Sequence, residues 1–226
     1  MMLVIPNVLS AQDLAQVRSL LDQAAWHDGK ETAGYAAVRQ KSNEQLRVDD
    51  EAAIAAGRII LRALSSNSQF ISFALPLKIL PPMFNRYQGG GEYGFHIDNA
   101  VRVDPTTGDR IRTDLSTTIF LNDPADYEGG ELIINDTYGV ERVKLPAGHA
   151  VVYPGNSLHR VSPVTSGQRL GAFFWTQSMV SDDAQRNVLF DLDNTIQQLA
   201  VRPDNMNDVT RLTGTYHNLV RMWAQT

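Results

Sequence analysis

Between residues 70 and 180 the chain is cut into short runs rich in β-branched and aromatic residues. The runs fall at 70–80, 84–88, 115–121, 131–134, 140–145, 150–153, 158–161 and 170–177. Turn formers stand between them: Pro81-Pro82, Gly89-Gly90-Gly91, Asn122-Asp123-Pro124, Gly129-Gly130, Pro146-Ala147-Gly148 and Pro154-Gly155-Asn156. About eight short strands at this spacing predict an all-β sandwich or barrel rather than alternating β and α units. A jelly roll is the closed, double-sheet solution for that strand number.

The flanks read as helical, so the fold class is mainly β with flanking helices (α+β). Ser10 is placed to cap a helix, supported by Asp13, and Leu14, Val17, Leu21 and Ala24 follow at helical spacing. A second helix is predicted over 50–64, with Ile54, Leu61 and Leu64 on one side. Ser181-Asp182-Asp183 signals another helix start, with Val188, Leu189, Leu192, Ile196 and Leu199 on its stripe until Pro203 breaks the run. A last helix over 209–223 carries Leu212, Tyr216, Leu219 and Trp223 on one face. This tail either packs on its own barrel or offers a homo-oligomer surface. The expected division is a β domain with its N-terminal helices over 1–180 and a helical extension over 181–226, with the motif-bearing core at 78–178.

Net charge is −5, which argues against a broad nucleic-acid-binding face. Arg102, Arg110 and Arg112 form a local cluster that could attract an anionic ligand. Cysteine is absent, which excludes disulfides and thiolate metal sites and fits a reducing cytoplasm. Residues 1–6 have neither a basic region nor a long apolar run, so no signal peptide or membrane span is expected.

Gly89-x-Gly91-x-x-Gly94 matches the dinucleotide fingerprint in letters only. That fingerprint needs a helix opening within it to meet the pyrophosphate, whereas Phe95-His96-Ile97-Asp98 and then a polar loop follow here. The glycines read instead as a tight hairpin or bulge before a ligand-bearing strand.

His96 and Asp98 are two apart. On a strand they share a face, leaving Phe95 and Ile97 to turn into apolar packing. His159 follows five or so strands later, and a barrel can return a late strand beside an early one. Two imidazoles and a carboxylate are the facial-triad ligand set of non-haem Fe(II). His149 competes for the third place but sits at the turn after Pro146-Ala147-Gly148. His27 and His217 fall in apparently helical segments without a partner pattern. Arg169 lies in an increasingly apolar, strand-like run, Gly167 to Trp175. A guanidinium pointing into a barrel must be paired, either with an internal Asp or Glu or with a carboxylate ligand held bidentately. Tyr87 is a candidate hydroxyl for such a ligand. Arg110 and Arg112, in the loop after Asp98, either contact a substrate or belong to a solvated loop face, the second being the simpler reading.

With these residues assembled, the chain resembles the Fe(II)- and 2-oxoglutarate-dependent dioxygenases, in their prolyl-4-hydroxylase-like branch, and most closely the bacterial PKHD-type hydroxylases. The carrying motifs are Tyr87-Gln88-Gly89-Gly90, Phe95-His96-Ile97-Asp98-Asn99, Phe120-Leu121-Asn122-Asp123, Gly129-Gly130-Glu131-Leu132, Pro146-Ala147-Gly148, Tyr153-Pro154-Gly155, Leu158-His159-Arg160-Val161, Arg169 and Phe173-Phe174-Trp175. The resemblance implies a double-stranded β-helix (cupin-like jelly roll). It implies iron on His96, Asp98 and His159, 2-oxoglutarate with its distal carboxylate on Arg169, O2 as oxidant and L-ascorbate as reductant. The implied reaction is hydroxylation of a small molecule or peptidyl side chain, with decarboxylation of 2-oxoglutarate to succinate and CO2. The presence of Asp98 argues against a halogenase, where chloride takes the carboxylate's place. One departure is Phe120, where some animal prolyl hydroxylases have a tyrosine contacting 2-oxoglutarate. Phenylalanine cannot donate, so Thr118 or Tyr87 would have to serve. The rival readings are a non-catalytic ligand-binding barrel and a redox-neutral cupin-like enzyme, and neither gives Arg169 a role.

Overall fold

The β-rich middle folds as two facing antiparallel sheets, and the helices cover one of them. The computed structural model describes residues 1–32, 40–136 and 139–226. In chain order the first strands are β1 (Leu3–Ile5), β2 (His27–Asp28), β3 (Lys41–Ser42), β4 (Glu44–Gln45), β5 (Pro76–Ile79) and β6 (Met83–Gln88). Next come β7 (Glu92–His96), β8 (Val101–Val103), β9 (Arg110–Arg112), β10 (Leu115–Phe120) and β11 (Tyr127–Gly129). The last are β12 (Leu132–Asp136), β13 (Gly139–Val143), β14 (Ala150–Pro154), β15 (Leu158–Val161) and β16 (Val164–Ser178). The larger sheet runs β1-β14-β10-β16-β6-β4-β2, with β5 and β11 also on β16. The smaller runs β13-β12-β15-β7-β3, and β8 pairs with β9 in a separate hairpin.

Side-chain alternation divides the larger sheet into two faces. Leu115, Ile119, Ala150, Val152, Leu170, Ala172 and Phe174 join the core shared with the N-terminal helices. Tyr87, Phe120, Val151 and Tyr153 turn the other way, into the cluster between the sheets with Leu132, Ile134 and Val161 of the smaller sheet.

The helices are α1 (Ala11–Asp22), α2 (Glu51–Ser65), α3 (Ser68–Ala74), α4 (Asp183–Ala200) and α5 (Met206–Trp223). The Ser10 hydroxyl accepts from Asp13 N at 3.0 Å, starting α1 as its sequence predicts. Asp50 caps α2 in the same way, but the buried stripe is Ala53, Ala56, Gly57, Ile60 and Leu64. Ile54, expected on that stripe, faces solvent. Complete burial of Ile60 and Leu64 contributes about 1.5–3 kcal/mol each.

The run at 70–80 is not one strand. Asn67 Oδ1 accepts from Phe70 N at 2.9 Å, which starts α3, and Phe70, Phe73 and Ala74 are buried at helical spacing. Leu75 then takes a left-handed conformation and ends the helix before β5. His27, expected in a helix, lies on β2. The polar stretch after Asp98 contains the β8–β9 hairpin, closed by Asp104 N donating to Asp109 O. Gly89 and Gly90 both have positive φ in the β6–β7 turn, but β6 and β7 belong to different sheets, so the glycines make a tight turn that carries the chain from one sheet to the other rather than the expected hairpin. Tyr216, Leu219, Val220 and Trp223 of α5 pack against Leu75, Val180 and Leu189, so the tail docks on its own chain. Among the described residues no helix is long and apolar enough to cross a membrane.

Candidate functional site

His96 is the last residue of β7 and stands directly opposite His159 of β15 in the strand register. Asp98 lies just beyond the end of β7, not on it. The expected strand alternation therefore stops at His96, and the turning chain brings the carboxylate round. The His96 Nε2 to Asp98 Oδ1 distance is 3.9 Å, and His159 Nε2 to Asp98 Oδ2 is 3.8 Å. One ligand atom from each residue lies within 4.8 Å of the other two. Phe95 and Ile97, expected in apolar packing, are 42% and 57% exposed, and Phe95 instead lies under the Arg160 guanidinium, 4.9 Å from its ring centroid.

Each imidazole is oriented by the backbone. His96 Nδ1 lies 2.8 Å from Gly94 O and His159 Nδ1 3.0 Å from Ser157 O. A carbonyl oxygen only accepts, so each Nδ1 carries the hydrogen and each Nε2 presents a lone pair to the cluster. Burial, then the neighbouring His159, pulls the His96 pKa down to about 4, so the ring is neutral near pH 7, as a metal ligand must be. Tyr93 stacks on His96 with centroids 3.7 Å apart, and Tyr153 meets the His159 ring edge-on at 5.2 Å. Asp98 Oδ2 accepts from Ser116 Oγ at 2.6 Å and from Trp175 Nε1 at 2.9 Å. Those two donors fix the carboxylate plane and leave Oδ1 for a cation.

At the other end of the same cavity stands Arg169, on β16 opposite Tyr87 of β6. It is 1% exposed. Its guanidinium carbon lies 5.4 Å from the Tyr87 ring centroid and 5.1 Å from that of Phe120. Nε and Nη1 find no hydrogen-bond partner among the described residues, and no described Asp or Glu pairs with the group. The internal-carboxylate alternative is therefore not what the fold contains. Gly130 makes room for this side chain: at φ +64° an added Cβ would fall 3.0 Å from Arg169 Cδ.

Among the candidate hydroxyls, Tyr87 is buried and its oxygen accepts from Asn85 Nδ2 at 3.5 Å, with Asn43 also in hydrogen-bonding reach, while Thr118 of β10 lines the cavity. Phe120 faces Arg169 without a polar atom, as its alignment implies. Two buried tyrosines were not singled out by sequence. Tyr153 lines the cavity, and burial raises its pKa well above the usual value, with Asp98 adding to the effect. Burial also raises Tyr127, and the nearby Arg169 charge opposes that rise. Alternation of Val151 and Tyr153 along β14 was the available signal for the first.

The cavity between these ends measures about 330 Å³, within the usual range for small-ligand sites. Of the three loop arginines, Arg112 is committed to Asp114 through two bonds of 2.6 and 3.0 Å and to Ser178 O at 3.3 Å. Its expected role as a substrate contact is thereby withdrawn. Arg110 is exposed on β9 and outside the cavity wall. Arg102 lines the cavity, with its guanidinium carbon 4.1 Å from the Trp175 ring centroid. His149 and His217 lie outside the cluster.

The donor set and the orphaned guanidinium fit a divalent cation at one end and a carboxylate at the other. Comparison with known proteins agrees with that chemistry. The family profile described as "2OG-Fe(II) oxygenase superfamily" matches residues 82–177, and "PKHD-type hydroxylase C-terminal domain" matches residues 183–225. A PKHD-type hydroxylase of Delftia acidovorans is 54% identical over 225 residues, covering 100% of both chains. Among solved structures, the chain is similar to a Trichoplax adhaerens prolyl hydroxylase in complex with a hypoxia inducible factor oxygen degradation domain peptide. The TM-score is 0.56 at 16% identity, over 83% of this chain and 86% of that one. It is also similar to HygX of Streptomyces hygroscopicus with nickel, 2-oxoglutarate and hygromycin B bound. The TM-score there is 0.53 at 15% identity, over 80% and 84%.

Proposed function

The chain belongs to the PKHD-type hydroxylases of the 2OG-Fe(II) oxygenase superfamily, and from that premise we propose that His96, Asp98 and His159 hold the iron and Arg169 holds the distal carboxylate of 2-oxoglutarate. The enzyme is a 2-oxoglutarate- and Fe(II)-dependent hydroxylase. The observation that carries the residue assignment is the pairing of a pre-oriented His/Asp/His cluster with a fully buried Arg169 whose Nε and Nη1 have no partner among the described residues, in one cavity.

Bound iron supplies the site for O2 activation, coupled to decarboxylation of 2-oxoglutarate to succinate and CO2. The chain's own residues do the positioning. Backbone carbonyls of Gly94 and Ser157 fix the imidazole tautomers. Ser116 and Trp175 fix Asp98. Arg169 selects a dicarboxylate by offering a forked donor in a site where water is scarce. Tyr87 and Thr118 are the hydroxyls we assign to that carboxylate. Tyr87 and Tyr153 line the walls, Phe120 packs beside Arg169, and together they keep water from the reacting region. With Fe(II) and 2-oxoglutarate bound, the charges of the metal, Asp98, 2-oxoglutarate and Arg169 cancel.

L-Ascorbate is assigned as the reductant that keeps the iron ferrous. We place the protein in the cytoplasm, in keeping with its cysteine-free composition. The substrate is a small molecule or a peptidyl side chain, as the two solved neighbours bind a small molecule and a peptide respectively. The helical tail after residue 180 is a separate unit of sequence, supported by family matches that stop and restart there, and its exposed side is the surface for any homo-oligomer. Nucleic acid and membrane have no part in this reading.

The test is anaerobic titration of 2-oxoglutarate into the Fe(II) protein. A weak visible charge-transfer band is expected, and it is expected to vanish in Arg169→Ala. A band of undiminished intensity in Arg169→Ala, at the same 2-oxoglutarate concentration, would overturn the assignment.

A further inference from the structure

A second cation stands in the cavity, and neither the triad nor Arg169 makes use of it. Arg102 is carried on β8 opposite Ile111 of β9. Ile111 is buried with Leu80, Met83 and Trp175, and so pins the inner face of the hairpin down. Arg102 shares that face and lies over the Trp175 ring. Among the described residues it has no hydrogen bond to a carboxylate and no ion pair, unlike Arg112 of the same hairpin. Burial pulls its pKa down, and Asp98 acts in the opposite sense. Lys41 faces the same space, 5.2 Å from the Tyr93 ring centroid. The only carboxylate among the described lining residues is Asp98. A chain of net charge −5 thus surrounds a cavity whose wall is cationic, and 2-oxoglutarate at Arg169 leaves Arg102 unmatched.

We propose that Arg102 anchors a carboxylate of a compact, partly apolar primary substrate, whose body lies against Phe173, Trp175 and Ile97. A half-buried guanidinium held over an aromatic ring favours an anion, and a planar carboxylate fits its donor fork. Compactness follows from the short path to the chemistry. Arg102 rests on Trp175, and the indole of Trp175 donates to Asp98 at 2.9 Å. The anionic group and the oxidised C–H bond are then separated by little more than one side chain. Ile97, next to Asp98 and lining the cavity, is exposed, where an apolar body would cover it. This inference rests on the hydroxylase reading of the cavity.

The test is calorimetric titration of the anaerobic Fe(II)- and 2-oxoglutarate-loaded protein with hexanoate, benzoate and phenylacetate, each against its primary amide. A further arm uses an end-blocked peptide with a single aspartate. The visible 2-oxoglutarate band is recorded in the same samples. Its absence before any probe is added overturns the hydroxylase reading. With the band present, at least one carboxylate is expected to bind tenfold or more tightly than its amide. Arg102→Gln is expected to reduce that preference below twofold. Arg110→Gln, on the exposed side of the same hairpin, is expected to keep it. Equal binding of acids and amides, a preference that survives in Arg102→Gln, loss of the band on adding a probe, or Arg102-dependent binding of the peptide alone would each overturn the inference.

Discussion

At one end of the cavity the groups that orient the triad are already engaged: both histidine Nδ1 atoms on backbone carbonyls, and Asp98 Oδ2 on Ser116 and Trp175. At the other end Arg169 is as deeply buried as any residue of the core, yet two of its nitrogens have no partner among the described residues. The first end is organised before its ligand arrives. The second holds a charge at a cost of several kcal/mol, and an arriving carboxylate relieves that cost. On the proposed assignment the His/Asp/His end is the rigid reference, and the Arg169 end is where binding of 2-oxoglutarate and stability of the chain would be coupled.

The largest effect should come from breaking the rigid end. Asp98→Ala is expected to abolish substrate-stimulated succinate formation and tight Fe(II) binding, measured by product analysis and anaerobic metal titration. Retained iron affinity would show that the two histidines suffice and that the order of the ends is wrong. Arg169→Leu attacks the other end. It should weaken 2-oxoglutarate by about 10²–10³-fold or more, as when one member of a buried charge pair is removed. It should also raise the melting temperature of the ligand-free protein, because an unpaired buried cation is gone. Thermal unfolding with and without 2-oxoglutarate checks both. A lower ligand-free melting temperature would mean that Arg169 is paired in solution. Trp175→Phe keeps the ring and removes one donor to Asp98, so metal affinity should fall by roughly 10–100-fold, the usual cost of losing such outer support. An unchanged affinity would leave Ser116 as the sole brace. Gly130→Ala is the gentlest change. Positive φ and the approach to Arg169 Cδ should destabilise by about 1–3 kcal/mol and weaken 2-oxoglutarate more than Fe(II), read by calorimetry of each.

The two ends also differ in how far they can be read from sequence. His96, Asp98, His159 and Arg169 are legible because their chemistry is unusual and their order along the chain is fixed. The braces of the metal end are not. Ser116 and Trp175 meet Asp98 only because β10 and β16 pair in one particular register, and that register depends on contacts between distant segments. Strand alternation places Asp98 beside His96 for a reason that fails once β7 ends; the carboxylate still arrives because the chain turns. The Phe70-to-Leu80 run misleads because Phe and Ile favour strands, whereas the Asn67 cap and a buried stripe at helical spacing decide for α3. Arg102, Arg110 and Arg112 look equivalent in sequence. They separate only when three-residue strands give them different faces and Asp114 claims one of them.

The direct opposition of His96 and His159 also governs the order in which the molecule is assembled. The two strands are distant in sequence, so bringing them together is a late, entropically costly closure. A slip of one residue in their pairing would turn His159 away from the cavity. A chain that has not yet closed its small sheet keeps His96 and Asp98 near one another but lacks His159, so the three-group cluster is incomplete. The cluster is therefore completed only with the finished small sheet, and the register of that sheet decides whether three ligand atoms or two face one another.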